Sequence, residues 1–282
     1  MFIGKSTVVF VLTVGMGFFS ISCDTFGLKR SFRPDGMTGR TVSLPPATDL
    51  GRGLRVLYLF DGNVRDTSGH GLHGLVVGTT LVPDRFGTSE NAIQFDGLDD
   101  YIWIQNSSSL KLELPISISM WVKLGQVETT MASFTSDFHS ERNTGVFATF
   151  GSRGANAAFS FGDGGRLGQQ SRRTKHGSTK LAPGVWYHVA GTIVGPDSIT
   201  VYLNGENDGG RYDGSAESVV YSDGSANIGR RTATPRARPI YFFGALDEFA
   251  VYDRVLSARE IRLLYTEGFS SLLRAEDSER RR

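Results

Sequence analysis

The chain has 282 residues, of which 39% are apolar, 21% charged and 11% aromatic, and its mean hydropathy is −0.16. This composition is too apolar for a disordered protein and too polar for a polytopic membrane protein. Thirty Lys and Arg residues against 29 Asp and Glu give a net charge of +1, so no overall field favours a nucleic-acid partner. The single cysteine excludes an internal disulfide framework and a multi-cysteine zinc site.

The first 22 residues predict a targeting signal. Lys5 is their one ionisable side chain, and residues 6–21 are apolar or small. This stretch is brief for a membrane-spanning helix and is typical of a secretory signal. Cys23 follows it directly and resembles the lipidated cysteine of bacterial lipoproteins, although Ser20 stands where leucine is usual. We therefore expect export and lipid anchoring at Cys23, to the outer membrane or cell surface. The alternative is an ordinary signal peptide with a leftover thiol.

The rest of the chain predicts one all-β domain. Residues 23–50 contain three prolines and no sustained periodicity, which indicates a flexible tether. Short β-type runs then recur over residues 51–268, and residues 269–282 form a charged tail. Many short strands between turn residues predict a jelly-roll sandwich of two antiparallel sheets. The clearest runs are 54–60, 92–95, 101–104, 116–123, 146–150, 157–161, 186–194, 198–203 and 243–252.

Three local patterns refine this prediction. In the run 116–123 the even-numbered residues are apolar and should face the core, whereas the odd-numbered residues, Trp121 among them, should face solvent or a groove. Asn204-Gly205 after an alternating run predicts a tight hairpin, because both residues tolerate positive φ. Ser257 and Glu260 have capping-box spacing and predict one short helix near the end of the domain.

These motifs, taken in order from about residue 54 to residue 266, resemble the laminin-G-type, concanavalin A-like jelly-roll domains of many secreted bacterial proteins. The resemblance implies two packed antiparallel sheets and a short helix after the last strand. Related domains bind glycosaminoglycans and matrix proteins, but the fold alone does not decide a function. The residues that carry the resemblance are 57–63, 66–69, 73–74, 85–87, 95–102, 118–122, 186–190, 201–205, 244–249, 252–254 and 256–261.

Two acidic loops are candidates for calcium, a hard cation that prefers oxygen ligands. The family resemblance implies a structural calcium formed by the first loop and the end of the last strand. The alternative is that these side chains form turns and accept hydrogen bonds from backbone N–H groups. The candidate ligands are Asp61, Asn63, Asp66, Asp96, Asp99 and Asp247.

Two basic segments, 166–180 and 230–238, contain no acidic residue and are predicted to be loops. If the fold brings them together, they form an anion-binding patch, because Arg makes bidentate contacts to sulfate, carboxylate or phosphate. The alternative is two solvated loops, or contact with membrane headgroups. The candidate anion-binding residues are Arg166, Arg172, Arg173, Lys175, Arg230 and Arg231.

The catalytic signals are weak. A glycosidase needs two carboxylates that flank the scissile bond, whereas Asp247 and Glu248 are adjacent and should point to opposite faces of a strand. Trp103, Trp121 and Tyr202 are aromatic candidates for stacking on a sugar, and none stands out. We therefore expect a non-catalytic envelope lipoprotein that binds carbohydrate or matrix ligands. The alternatives are a structural envelope protein that acts through protein contacts, and a divergent glycoside hydrolase.

Overall fold

The computed structural model describes residues 49–125, 131–150, 156–231, 239–269 and 271–272. The predicted signal peptide, Cys23, nearly all of the predicted tether, Arg236, Arg238 and most of the charged tail lie outside these ranges. Among the described residues, no helix has the length and apolar character needed to cross a membrane.

The described residues form eighteen strands and one α-helix. They are β1 (Leu54–Tyr58), β2 (Gly74–Val77), β3 (Thr80–Val82), β4 (Ala92–Asp96), β5 (Tyr101–Ile104), β6 (Ile116–Leu124), β7 (Met131–Thr135), β8 (Val146–Phe150), β9 (Ala157–Gly162), β10 (Arg172–His176), β11 (Trp186–Gly195), β12 (Ser198–Leu203), β13 (Glu206–Asn207), β14 (Arg211–Gly214), β15 (Ala226–Ile228), β16 (Arg230–Arg231), β17 (Ile240–Tyr241), β18 (Phe243–Tyr252) and α1 (Ala258–Thr266). Each of the nine predicted runs matches one of these strands to within two residues at either end.

Most strands belong to two antiparallel sheets. Sheet A has the order β13-β12-β11-β6-β18-β4-β3, and β1 pairs with the second half of β18. Sheet B has the order β14-β10-β9-β8-β7-β15-β5-β2, and β16 pairs with β17 in a separate small ribbon. These two sheets confirm the predicted all-β, concanavalin A-like jelly-roll sandwich.

Aromatic side chains fill the space between the sheets. Phe134 of sheet B meets Phe249 of sheet A with ring centroids 4.9 Å apart. The ring of Phe159 lies directly against the backbone of β11, where a Cβ atom at Gly191 would be 2.2 Å from it. Only glycine therefore fits at position 191, and the two sheets approach closely at this point.

The outer face of sheet A is covered as well. Helix α1 begins with the predicted capping box between Ser257 and Glu260, and it packs Ile261 and Leu264 onto apolar residues of the sheet. The prediction that the odd-numbered side of β6 faces solvent or a groove is therefore wrong for most of its length. Trp121 is only 7% exposed because it stacks on Tyr265 of α1, with ring centroids 5.8 Å apart.

The prediction that both basic segments are loops is also wrong in part. Residues 172–176 form β10, which is hydrogen-bonded between β9 and β14, and residues 230–231 form β16. The sequence Arg-Arg-Thr-Lys-His lacks apolar alternation, so its strand character comes from its two neighbours in the sheet rather than from hydrophobic burial. A strand alternates its side chains, and β10 therefore sends its basic residues to both faces of sheet B.

Candidate functional site

A buried ion cluster lies on the outer face of sheet A. The turn after β3 is tightened by the Asp84 carboxylate, which accepts hydrogen bonds from Phe86 N and Thr88 N at 2.8 Å. This turn directs Arg85 over β18. Its Nη1 donates to Asp247 Oδ2 at 2.8 Å, and its Nη2 lies 3.3 Å from both carboxylate oxygens of Glu248. We call Arg85, Asp247 and Glu248 the Arg85 cluster.

The prediction that Asp247 and Glu248 point to opposite faces is wrong. A β-bulge shifts the pairing of β18 with β6 between Asp247 and Ala250, and Glu248 takes a φ of 49°. The bulge brings both carboxylates to the same guanidinium. Glu248 also accepts the N–H of Phe269 at 3.0 Å, which fastens the chain after α1 to sheet A.

The electrostatics of this region follow from its burial. The side chains of Arg85, Asp247 and Glu248 are 6%, 3% and 2% exposed, so a sugar in solution cannot reach the two carboxylates. Burial and the charge of Glu248 raise the pKa of Asp247 well above its ordinary value, and Arg85 acts in the opposite direction. The Arg85 guanidinium also lies 4.4 Å from the ring centroid of Trp121.

His188 is the next residue across the sheet, paired with Trp121 between β11 and β6. Its Nε2 lies 2.9 Å from Ser119 Oγ. Burial, and then the positive charge of Arg85, lower the pKa of His188 to about 3, so its imidazole is neutral at pH 7. Its place in a closed, packed region indicates a structural role.

The first-loop calcium candidates do not converge on one point. Asp66 accepts hydrogen bonds from Leu57 N, Ser68 N and Leu72 N at 2.9–3.0 Å, so its two oxygens are used by the backbone. Asn63 bonds within its own turn. The negative charge of Asp61 contributes to the raised pKa of Asp247, but Arg85 already neutralises that carboxylate. Among the described residues, the acidic group that could hold a metal ion does not include Asp61, Asp66 or Asp247.

The second acidic loop does converge. Carboxylate oxygens of Asp96, Asp99 and Asp100 lie within 4.8 Å of one another. Asp96 Oδ1 also accepts Leu98 N at 2.9 Å, and Asp100 Oδ2 accepts Asp96 N at 2.9 Å. Three carboxylates at this spacing suit a hard cation with oxygen ligands.

The structure divides the six predicted anion-binding residues. Arg173 and Lys175 lie on one face of β10, over the ring of Tyr212 at 4.6 Å and 4.3 Å. Arg172 lies on the other face, where Asp213 is 4.0 Å away. Arg166 is exposed before β10 and forms an isolated antiparallel bridge with Arg142.

The two arginines of β16 have separate surroundings. Arg230 is sandwiched between the rings of Tyr101 and Phe138 at 3.9 Å and 4.4 Å. Arg231 lies over Phe147, and burial, followed by the charge of Arg172, lowers its pKa to about 9. The cavity beside Arg231 measures about 10 Å³, which is room for roughly one water molecule. The six residues therefore do not form one continuous patch.

A larger cavity opens at the end of sheet B where β10 ends and β9 and β14 begin. Its volume is about 400 Å³, within the range of about 300–1,000 Å³ that is usual for ligand pockets. We call it the edge cavity; it is lined by Asn156, His176, Gly177, Ser178, Lys180, Gly210 and Arg211. Its side chains are an amide, a hydroxyl, an imidazole and two cations. Such groups hydrogen-bond hydroxyls and bind anions.

The sequence did not indicate the edge cavity as a site. In the sequence Lys180 is the last residue of the basic segment 166–180, and Arg211 stands alone between acidic residues. The antiparallel pairing of β10 with β14 places Arg211 directly opposite His176. The one signal in the sequence was Gly209-Gly210, which indicates a tight turn just before Arg211.

Comparison with solved structures finds the same fold in several binding domains and enzymes. Domain 4 of AbnA, a GH43 extracellular arabinanase from Geobacillus stearothermophilus solved with arabinotriose, is 20% identical, with a TM-score of 0.58 over 76% of this chain and 98% of that domain. The receptor binding domain of botulinum neurotoxin D is 17% identical, with a TM-score of 0.53 over 77% of this chain and 53% of that one. A Trypanosoma rangeli sialidase mutant is 13% identical, with a TM-score of 0.54 over 82% of this chain and 34% of the sialidase.

At these identities the structural matches show the fold alone. A search of curated proteins finds no match. The family model of the concanavalin A-like lectin/glucanases superfamily matches residues 95–262, which is more than half of the chain and runs from β4 into α1. The chain therefore belongs to the concanavalin A-like lectin/glucanases superfamily.

Proposed function

We propose that this chain is a non-catalytic carbohydrate-binding module, exported and anchored by lipid at Cys23 to the cell envelope. The observation that carries the proposal is the edge cavity, whose polar lining suits a hydroxyl-rich ligand. The fold supports it, because one similar structure was solved with an oligosaccharide and another is a receptor-binding domain.

The Arg85 cluster supports the part of the proposal that the chain is non-catalytic. A glycosidase needs one carboxyl group to donate a proton and another to act as base or nucleophile on a bound sugar. Asp247 and Glu248 are closed off from solvent and share one guanidinium. Their geometry supports a structural role in joining α1 to sheet A rather than turnover.

The test is a glycan array probed with the purified chain. We expect retention of at least one class of glycan, and Ser178→Trp, which fills the edge cavity, should abolish it. Ser218→Trp is the matched control, because Ser218 is exposed in a loop outside the cavity. Absence of binding to every glycan would overturn the proposal, and capture of a specific protein from membrane extracts would then favour the structural envelope role.

Calcium stays a prediction, now directed to the loop of Asp96, Asp99 and Asp100. An ion that binds only the native state raises the melting temperature, so a chelator should lower it. Asp99→Asn should remove most of that response. A melting temperature that chelator leaves unchanged would reject a stabilising ion.

A further inference from the structure

We infer that the ligand of the edge cavity is an acidic glycan, and that Lys180 and Arg211 bind the carboxylate or sulfate group of one of its sugars. This inference rests on the proposed function and adds the chemical class of the ligand. The edge cavity has more positive than negative charge in its lining. Lys180 and Arg211 line the same cavity, and neither has a carboxylate within ion-pair distance among the residues that the structure describes.

Ion pairing alone does not distinguish these two cations, because described arginines such as Arg142, Arg166 and Arg259 are likewise in no ion pair with an Asp or Glu. Arginines at positions 55, 85, 172, 173, 254 and 262 each lie within 4.0 Å of an Asp or Glu oxygen. A cation on a convex surface needs no partner, because water solvates it. Two cations in one concave pocket repel each other and raise the local positive potential, which an anionic ligand relieves.

The backbone holds the two cations in position. The turn before β14 runs so close to β10 that a Cβ atom at Gly210 would lie 1.8 Å from the His176 carbonyl oxygen. Gly209 and Gly210 both adopt positive φ, of 61° and 88°. This turn places Arg211 beside His176 at the end of β10, and any larger residue at position 210 would displace Arg211.

A second set of contacts fixes the segment that carries Lys180. The nearby carboxylate of Asp208 accepts Thr179 N at 3.2 Å and Thr179 Oγ1 at 2.6 Å. Ser178 N donates to the carbonyl oxygen of Asp208 at 3.1 Å. Asp208 thus joins the two turns of the cavity, and its carboxylate is engaged by Thr179. A pocket organised before the ligand arrives loses less conformational entropy on binding.

Groups for the uncharged part of a sugar lie in the same cavity. Asn156 Nδ2 donates to the Gly177 carbonyl at 2.8 Å, which orients its amide and leaves the amide oxygen to accept a sugar hydroxyl. Ser178 adds a hydroxyl that donates or accepts. The cavity therefore offers an oxyanion site beside hydroxyl sites, which is the pattern of a uronic acid or a sulfated sugar.

The experiment compares ligands that differ in charge alone. The purified chain is titrated with oligogalacturonate and with its methyl ester, and in parallel with dextran sulfate and dextran, at low and at physiological salt. We expect the acid to bind at least about tenfold more tightly than the ester. Dextran sulfate tests whether a sulfate serves as well as a carboxylate.

The variants Lys180→Gln and Arg211→Gln should each weaken binding of the acid about tenfold and should remove most of the difference in affinity between the acid and its neutral partner. Arg259→Gln is the matched control, since it removes an exposed cation of α1, which lies outside the cavity. Equal binding of charged and neutral ligands, or no effect of either variant, would overturn the acidic specificity while the carbohydrate-binding function stood. Failure to bind any glycan would reject both.

Discussion

The Arg85 cluster and the edge cavity hold arginine in opposite ways. In the Arg85 cluster one guanidinium meets two carboxylates, and all three side chains are at most 6% exposed. In the edge cavity Lys180 and Arg211 line an open pocket of about 400 Å³, with no ion pair among the described residues. The first arrangement closes the fold, and the second leaves positive charge available to a ligand.

Desolvation explains the difference. A buried charge loses several kcal/mol of hydration, so it persists only beside an opposite charge. A charge at the mouth of a cavity keeps most of its water and needs no such partner. Pairing in the interior is therefore a requirement of stability and says little about function. Clustered like charges in a concave surface have no structural need, and they are the stronger indication of a ligand.

Removing the guanidinium of Arg85 should lower the free energy of unfolding more than any other change that we predict. Arg85→Met leaves Asp247 and Glu248 buried beside each other without a counter-charge, which should cost about 3–5 kcal/mol of unfolding free energy at pH 7. Urea denaturation followed by far-UV circular dichroism measures it. Arg262→Met, which breaks the exposed pair with Glu206, should cost at most about 1 kcal/mol.

A loss in Arg85→Met no larger than that in Arg262→Met would contradict the structural role of the Arg85 cluster. A second readout separates charge from packing. Protonated carboxyl groups need no counter-charge, so the deficit of Arg85→Met relative to the unsubstituted chain should shrink as the pH falls.

His188 should make an intermediate contribution to the free energy of unfolding, and this contribution depends on pH. Its folded pKa is about 3 and its ordinary value is 6.5, because burial and Arg85 oppose its protonation. Between these pH values the unfolded chain binds a proton that the folded chain does not. The contribution of His188 to stability is therefore complete above pH 6.5 and is lost as the pH falls toward 3, with a slope of at most about 1.4 kcal/mol per pH unit.

The variant His188→Gln lacks this titration. Its unfolding free energy should lie below that of the unsubstituted chain at pH 7, and the gap should narrow between pH 6.5 and pH 4. Urea titrations at pH 7, 5.5 and 4 provide the comparison. Parallel pH profiles for the two chains would show that His188 is not the group held neutral by the fold.

The sequence predicted the strands that alternate and missed the contacts that join distant segments. Runs such as 116–123 and 243–252 carry enough apolar residues to be recognised without a partner. By contrast, β10 is a strand because β9 and β14 flank it, and Arg85 meets Asp247 from 162 positions away. The bulge at Glu248 depends on the same tertiary contacts, so local spacing gave the wrong face for that carboxylate.

Substitutions in the edge cavity should change the free energy of unfolding least, in contrast to substitutions in the Arg85 cluster. The double variant Lys180→Gln/Arg211→Gln removes two cations that make no ion pair in the described structure, so the unfolding free energy should change by no more than about 0.5 kcal/mol. Relief of their mutual repulsion favours a small gain rather than a loss. Urea denaturation at low salt is the sensitive condition, because added salt screens the repulsion. A loss of several kcal/mol would mean that these cations hold the two turns together, as the Arg85 cluster holds the chain after α1 to sheet A, and that their charge is committed to the fold.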